Sequence, residues 1–517
     1  MLIDIQQYFD ILTTYSQVLE VLVIVTALFM LISSLDDFFI DACYWIRKLY
    51  LWLRSDRKQN GFDLDDMLAV YKQPIAIMVP AWKEYDVIYD MLTTNISLQR
   101  YDKYHFFVGA YPNDSKTQDE IRRAVSEFPE KITLVVTPED GPTSKADCLN
   151  SVISEIQNYE DRHELRFAGI VLHDSEDVIH PFELLLFNYL LHAQHDFIQL
   201  PVYSFPRRLR QLVAGCYMDE FAEWHTKDLL VREKLTGVVP CAGTSACFSR
   251  RAIQMLIDEA QDSDEVFKRG SLTEDYEIAF RLNRLGCDQI FMRFPVTVDH
   301  DASDGYGRGL IFEQFLPIAT RELFPDDFRA AYRQRARWLL GIVFQGWSQY
   351  GWKGSLQMKY FFIRDRKGVL TAPMAIAAYF LAFNVVALRL MSLALPDEMM
   401  IPYDMLNTQW FALLLLVNML FLTNRLLQRV YFTSRIYGWK SGLMGAPRIL
   451  VSIFINYYAV LRAIWIYVKH LRTGEPIGWD KTAHASLAAA SAGIEIVPAL
   501  EAPITESTTV KNGSRSL

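Results

Sequence analysis

Two acids two residues apart, Asp174 and Glu176, stand in the run His173-Asp174-Ser175-Glu176-Asp177, directly after the apolar stretch Gly169–Leu172. On extended chain such side chains point to the same side. They suit Mg2+ or Mn2+, which takes one or two carboxylates and leaves the rest of its octahedron to phosphate oxygens and water. A solvated acidic loop has the same composition, and the pair alone does not separate the two readings. A second group, Ser271-Leu272-Thr273-Glu274-Asp275-Tyr276-Glu277, puts three acids near the start of a helical pattern over 276–285. Acids there offset the helix dipole and cap the first turn, or one of them takes a proton as a general base. The third, Gln334-Arg335-Ala336-Arg337-Trp338, lies on a helical pattern running to about Trp347. It reads either as a basic helix lying on anionic lipid or as fixed positive charge for a phosphate. No GxGxxG or Walker A sequence occurs, so a nucleotide here is not held by a glycine cradle.

The elements around these groups follow a βα rhythm. Between residues 60 and 365, short apolar runs (Ile75–Ala81, His105–Tyr111, Ile132–Pro138, Gly169–Asp174, Phe197–Val202) alternate with helical patterns at 86–97, 116–127 and 145–156. This alternation predicts an α/β domain with a mainly parallel sheet, whose ligands gather beyond the carboxyl ends of the strands. Four such ends carry chemistry: Val79-Pro80-Ala81-Trp82-Lys83-Glu84, Tyr111-Pro112-Asn113-Asp114, Gly141-Pro142-Thr143-Ser144-Lys145-Ala146-Asp147, and the acidic run at 173–177.

The chain of 517 residues carries a net charge of −9, against the basic field of a nucleic-acid binder, so no nucleic-acid partner is expected. Six cysteines without CxxC or Cys/His metal spacing read as reduced, mostly buried thiols. The mean hydropathy of +0.07 conceals apolar segments at both ends. Residues 21–35, with the helical 11–20 before them, are long enough to cross a bilayer of about 30 Å. With no small-residue cleavage site and with Asp4 and Asp10 at the start, they predict a retained anchor. Basic residues from Arg47 to Lys58 place the next segment of chain in the cytoplasm. Segments 369–388 and 409–427 predict two further spans. The stretch 449–468 carries Asn456 and Arg462 and is flanked by basic residues on both sides, so an interfacial helix is favoured over a fourth crossing. The expected organisation is an anchor at 1–45, a cytoplasmic domain at 46–365, two spans within 366–427, a cytoplasmic loop and interfacial helix at 428–484, and a disordered tail at 485–517.

In order and spacing, the three groups resemble those of membrane-bound, inverting glycosyltransferases of family 2 with the GT-A fold. Asp174-x-Glu176 stands in the place of their DxD motif, Thr273-Glu274-Asp275 in that of TED, and Gln334-x-x-Arg337-Trp338 in that of QxxRW. The strings VPAWKE (79–84), GPTSKADCLN (141–150), HDSEDVIHP (173–181), YMDEFAEWHTKDLLVRE (217–233), SLTEDYE (271–277), RQRARWLLGIVFQGW (333–347) and RDRKG (364–368) further resemble the group of inner-membrane phage N4 adsorption B proteins, as does Trp479-Asp480-Lys481-Thr482 with His484. Longer members of that group continue into a cyclic-di-GMP-binding domain. This sequence ends in an Ala-, Ser- and Thr-rich stretch, so direct control by that dinucleotide is not expected.

The resemblance implies a Rossmann-like GT-A domain on the cytoplasmic face of a bacterial inner membrane, flanked by transmembrane helices. It implies sugar transfer from a UDP-sugar to a glycan or lipid-linked acceptor with inversion, in exopolysaccharide synthesis of the phage-receptor type with an outer-membrane or periplasmic export partner. A single addition to a lipid carrier and a non-catalytic phage-adsorption scaffold are the alternatives. Asp275 is then the catalytic base, and Asp174 and Glu176 hold Mg2+ or Mn2+. Ala81, Glu84 and Asp114 hold the uridine, with Lys145 and Asp174 also toward the nucleotide sugar. Glu274, Gln334, Arg337 and Trp338 serve the diphosphate and acceptor, Trp338 as a flat face for a sugar. Taken singly, Lys145 also reads as a surface lysine and Asp114 as a turn residue. His173 and His300 are expected to be structural.

Overall fold

The computed structural model describes residues 2–54, 62–260, 265–295, 317–349, 351–393, 406–475 and 477. A long helix α1 (Leu2–Leu53) and a short α2 (Leu64–Ala69) precede the alternating region: β1 (Ile75–Pro80), α3 (Ile88–Leu98), β2 (Tyr104–Ala110), α4 (Ser115–Glu127), β3 (Ile132–Val136), α5 (Lys145–Arg162), β4 (Gly169–Leu172), α6 (Glu183–His192) and β5 (Phe197–Gln199). The run expected as one strand over 197–202 breaks at Leu200-Pro201, and β6 (Val202–Ser204) pairs elsewhere. Proline has no N–H to continue a ladder. A continuous helical segment comes next: α7 (Leu212–Glu223), a π-helical turn (Trp224–Asp228) and α8 (Leu229–Thr236). Then come β7 (Ala246–Ser249), α9 (Arg250–Ala260), α10 (Glu274–Arg284), β8 (Gln289–Phe291) and β9 (Thr320–Glu322).

The main sheet has the order β3-β2-β1-β4-β7-β5-β8, parallel except for β7, which runs antiparallel to both neighbours. β1 is apolar without interruption because helices cover both faces of such a sheet. Alternate residues feed two cores: Ile75, Ile77 and Val79 join one, and Ala76 and Met78 the other. The reversal of β7 has a consequence for the site. Its register pairs Leu172 with Ala246, so the residues leading into β7 (Cys241–Ser245) lie beside those leaving β4.

The C-terminal part is helical: α11 (Phe328–Leu339), a second π-helical turn (Leu340–Gln345), α12 (Gly346–Gln349), α13 (Leu356–Arg366), α14 (Gly368–Leu393), α15 (Gln409–Tyr437) and α16 (Trp439–Thr473). Four helices among the described residues, α1, α14, α15 and α16, are long and apolar enough to cross a membrane. The loop expected from residue 428 is instead helix through Tyr437, and the expected interfacial helix at 449–468 is part of a helix of 35 residues. The polar residue Asn456, which spoke against a crossing there, faces protein. Its Oδ1 accepts from Arg335 Nη1 of α11 at 2.7 Å, while Ala459 and Ala463 pack against Ala336 and Leu340. Small residues let α16 approach α11 closely. The tail expected at 485–517, the segment 479–484 and His300 lie outside the described residues.

Buried ion pairs join these helices to the α/β domain. Lys227 of the first π-helical turn contacts Asp41 of α1 and lies 2.8 Å from Glu223, which also accepts from Arg425 of α15 at 2.6 Å. Arg364 of α13 reaches Asp36 at 2.6 Å, Asp37 at 3.0 Å and Asp228 at 3.2 Å. The strings at 217–233 and 364–368 therefore supply attachment points between the two parts of the molecule.

Candidate active site

Helix N-termini and strand ends deliver the side chains. Lys145 is the first residue of α5, whose N-cap Ser144 accepts from the Asp147 N–H. Its Nζ reaches Asp174 Oδ1, two residues beyond β4, at 2.5 Å and the Gly243 carbonyl at 3.2 Å. Gly243 has φ +83, and a Cβ built there strikes Asp275 Oδ2. Glycine serves this position twice: it adopts the left-handed conformation cheaply and lets the Asp275 carboxylate rest against the backbone. Lys145, Asp174 and Asp275, separated by up to 130 residues, thus converge on Gly243. No feature of the sequence marks Gly243, since its place depends on the antiparallel β7.

Asp275 is held in place. Its Oδ1 accepts from the Tyr276 N–H at 2.7 Å, and the Tyr276 hydroxyl donates to Asp365, which forms a 2.9 Å ion pair with Arg232. Thr273, the N-cap residue of α10, abuts Gly341 in the second π-helical turn so closely that a Cβ there would collide with Thr273 Oγ1. The TED segment and the helix bearing Gln334 and Arg337 are therefore in direct contact. Such π-helical turns recur at functional sites. Gln334 Oε1 and Arg337 Nε are buried and make no hydrogen bond within the described residues. Arg335, in contrast, is committed to structure: it pairs with Glu220 at 2.8 Å and lies over the Tyr217 ring. Trp338 packs edge-on against Tyr217 (6.2 Å between centroids) and near Phe221, wedging α11 onto α7. The ring is half-buried by this packing.

Charges in this space act on one another. Burial opposes the Lys145 ammonium, but Asp174, Glu274 and Asp275 hold it above its ordinary value. Burial and the Asp275 charge push Glu274 up to about 7, against the pull of Lys145 and Arg337. Asp275 is also raised, by burial and by Asp174, with Lys145 and Arg337 opposing. Glu322, at the end of β9, was not expected in the site. Burial and the charges of Asp177, Glu176 and Asp174 raise its carboxyl well above the usual range. It arrives because Val178 and Arg321 exchange backbone hydrogen bonds of 2.9 and 3.0 Å.

Asp177 and His173 form the frame beneath. His173 lies between Asp177 and Glu183 at 2.9 Å from each, all fully buried, and these acids lift it to about 9 despite burial. Asp177 also accepts from the Asp174 N–H at 2.9 Å and from Thr244, tying the acidic loop to the segment before β7. Asp174 and Glu176 remain as hard oxygen donors. Among the described residues no three or more His, Cys, Asp or Glu side chains converge as a metal cage. Two carboxylates fit Mg2+ or Mn2+ of the kind completed by phosphate oxygens and water.

The first two strand ends form an adjoining wall. Asp114 caps α4 and accepts from the Lys83 N–H at 2.5 Å, and Lys83 has φ +56. The Glu84 N–H donates to Thr117, and the Ala81 N–H to the Gly109 carbonyl. Ala81, Glu84 and Asp114 are all buried. The wall joins the Lys145 side through Tyr111, which packs against Trp82 and donates to the Ser144 carbonyl at 3.0 Å.

Residues 73–341, just over half of the chain, match the family described as glycosyltransferase like family 2. The chain is 41% identical over 480 residues to bacteriophage adsorption protein B of Escherichia coli (strain K12) and to bacteriophage N4 adsorption protein B of Escherichia coli O157:H7. These alignments cover 92% of the chain and 63% of each relative, so it spans less than two thirds of their length. Among solved structures, a mannosyltransferase from Pyrobaculum calidifontis in complex with GDP-Man and Mn2+ superposes with a TM-score of 0.43 at 16% identity, covering 84% of this chain and 99% of the other.

Proposed function

The chain belongs to glycosyltransferase family 2 and carries a GT-A-type domain with membrane helices, and on that premise we propose that it transfers a sugar from a UDP-sugar to a membrane-associated acceptor with inversion. One observation carries the reading: Lys145, Asp174 and Asp275 meet at Gly243. A cation and two carboxylates, one of them with a raised pKa, share that space. Asp275 takes the proton of the acceptor hydroxyl as its oxygen bonds to the anomeric carbon. The bond from that carbon to the diphosphate oxygen breaks, and UDP leaves with its electron pair. Lys145 and Arg337 offer positive charge to the departing diphosphate. Asp174 and Glu176 would hold Mg2+ or Mn2+, which when bound neutralises diphosphate charge as a Lewis acid. Ala81, Glu84 and Asp114 hold the uridine on the wall formed by the first two strand ends, and Gln334 steadies the acceptor side.

The product is an exopolysaccharide or related glycan, made on the cytoplasmic face of an inner membrane and passed to an export partner. The likeness to the phage adsorption proteins supports this setting. The test is UDP release from purified protein in lipid, across a panel of UDP-sugars, with Mg2+, Mn2+ or chelator. Asp275→Asn is expected to lower turnover by about 10²–10⁴-fold, the usual scale for a general base. Unchanged turnover removes Asp275 from the mechanism. A failure of every donor, with native stability intact, favours the scaffold reading.

A further inference from the structure

Three segments far apart in the chain meet behind Asp275: α8 at Arg232, the start of α10 at Tyr276, and α13 at Asp365. Arg232 donates through Nη1 and Nη2 to the two carboxylate oxygens of Asp365, each at 2.9 Å. The Tyr276 hydroxyl donates to Asp365 Oδ2 and accepts from Arg232 Nη2 at 3.3 Å. A paired guanidinium–carboxylate contact of this kind fixes direction as well as distance. The Tyr276 ring packs on Phe280, 4.9 Å between centroids, in a small core with Val238, Met358 and Phe362. Arg232 and Tyr276 are buried. Burial and the Asp365 charge raise the Tyr276 hydroxyl above its ordinary value, so it stays a neutral donor.

A phenylalanine would fill that core with the same ring, so packing alone does not account for the hydroxyl and its two partners. The backbone supplies a reason. The Tyr276 N–H donates to Asp275 Oδ1 at 2.7 Å. A side chain fixed at its far end steadies its own peptide plane, and here that plane aims the neighbouring carboxylate. Buried polar groups with their bonds made rigidify the segment that carries them. α13 is itself anchored: Arg364 reaches Asp36 and Asp37 of α1, Lys367 reaches Asp37 at 2.7 Å, and α14 begins at Gly368. The partner of Tyr276 thus stands on the helix that joins the α/β domain to the long apolar helices.

We propose that Asp365 is a positioning residue for the transfer reaction: through the Tyr276 hydroxyl it holds the first turn of α10, so that the Tyr276 N–H directs Asp275 at the acceptor hydroxyl. The proposal rests on the glycosyltransferase reading and adds to it a residue that acts through Tyr276.

The test is UDP release by the full chain in lipid nanodiscs, at varied donor concentration and pH, for Tyr276→Phe and Asp365→Asn. Tyr276→Phe removes one oxygen and leaves the Arg232–Asp365 pair intact, so it decides the matter should Asp365→Asn fold poorly. Each variant is expected to lower kcat about tenfold, part of the roughly 10²-fold that a 1 Å misplacement costs, with donor KM within about twofold. The acid limb of the pH–rate profile is expected to move to higher pH, because a weakened N–H bond stabilises the Asp275 carboxylate less. The other groups facing Asp275, namely Lys145, Asp174, Cys241, Glu274 and Arg337, are the same in these variants. The double variant should lose no more kcat than the worse single one, since both break one contact. Tyr101→Phe is the comparison. Its hydroxyl is also buried, on the Gln73 carbonyl at 2.5 Å, at the amino ends of β1 and β2 and away from the site. It should melt earlier with kcat and limb unchanged. That same pattern in Tyr276→Phe overturns the proposal, as do losses of kcat that multiply in the double variant. Wild type that releases UDP from no donor sinks the enzymatic reading and the positioning role together; wild-type turnover matched by Tyr276→Phe sinks the positioning role alone.

Discussion

Gly243→Ala tests the centre of the site with a single methyl group. That methyl meets Asp275 Oδ2 inside any ordinary contact distance, and the carboxylate must retreat by about 1 Å to reach one. Misplacing a catalytic group by that amount costs about 10²-fold in rate, or about 3 kcal/mol of barrier. The left-handed φ of +83 adds about 1 kcal/mol of backbone strain for any residue with a Cβ. Gly237→Ala is the control, because Gly237 has φ +68 and an added methyl group there would have nothing within 4 Å. Both variants are expected to melt slightly earlier, yet only Gly243→Ala should lose turnover in a UDP-release assay at saturating donor and metal. If kcat agrees within about threefold for the two variants while both lose the expected stability, the position of Asp275 does not limit the reaction and its role as base fails.

The buried charges give three further outcomes. Activity should rise with pH across an acidic limb as the Glu274–Asp275 pair gives up its last proton, since Glu274 titrates at about 7. Glu274→Gln should move that limb to lower pH by removing a like charge, and a pH–rate profile of kcat/KM that stays put refutes the coupling. His173 is held at about 9 in the folded protein against an ordinary 6.5. Its contribution is therefore complete below pH 6.5 and lost as pH rises through 9, at most about 3 kcal/mol; thermal midpoints should fall over that window, and the slope should flatten in His173→Gln. Lys227→Met leaves Asp41 and Glu223 short of a buried partner and should cost about 3–5 kcal/mol, measured by thermal unfolding in detergent; a loss below about 1 kcal/mol means the helices are joined to the domain by other contacts.

Local chemistry and periodicity made much of this molecule legible in the sequence. The apolar runs at 75–81, 105–111, 132–138 and 169–174 became β1 to β4 because strands covered on both faces must be apolar throughout. The TED and QxxRW segments were readable as helix starts and helix faces, and the structure brings them together at Thr273 and Gly341. The helix of the third expected span continues past residue 427 to Tyr437, where Arg425, Arg429 and Arg435 read as a loop; in the structure Arg425 and Arg429 turn to Glu223. Composition registers a charge but not the partner that neutralises it.

Residue identity along the chain determined which groups can act: acids after a buried strand, an acid at a helix start, cations on a later helix. Which of them meet was decided by long-range pairing alone. The antiparallel insertion of β7 carries Gly243 to Lys145, the bridge between Val178 and Arg321 brings Glu322 to the acidic loop, and α16 turns Arg462 and Lys469 toward Arg337. Each of these contacts joins segments far apart in the chain, a separation across which local propensity carries no information and only the packing of the whole fold sets distance.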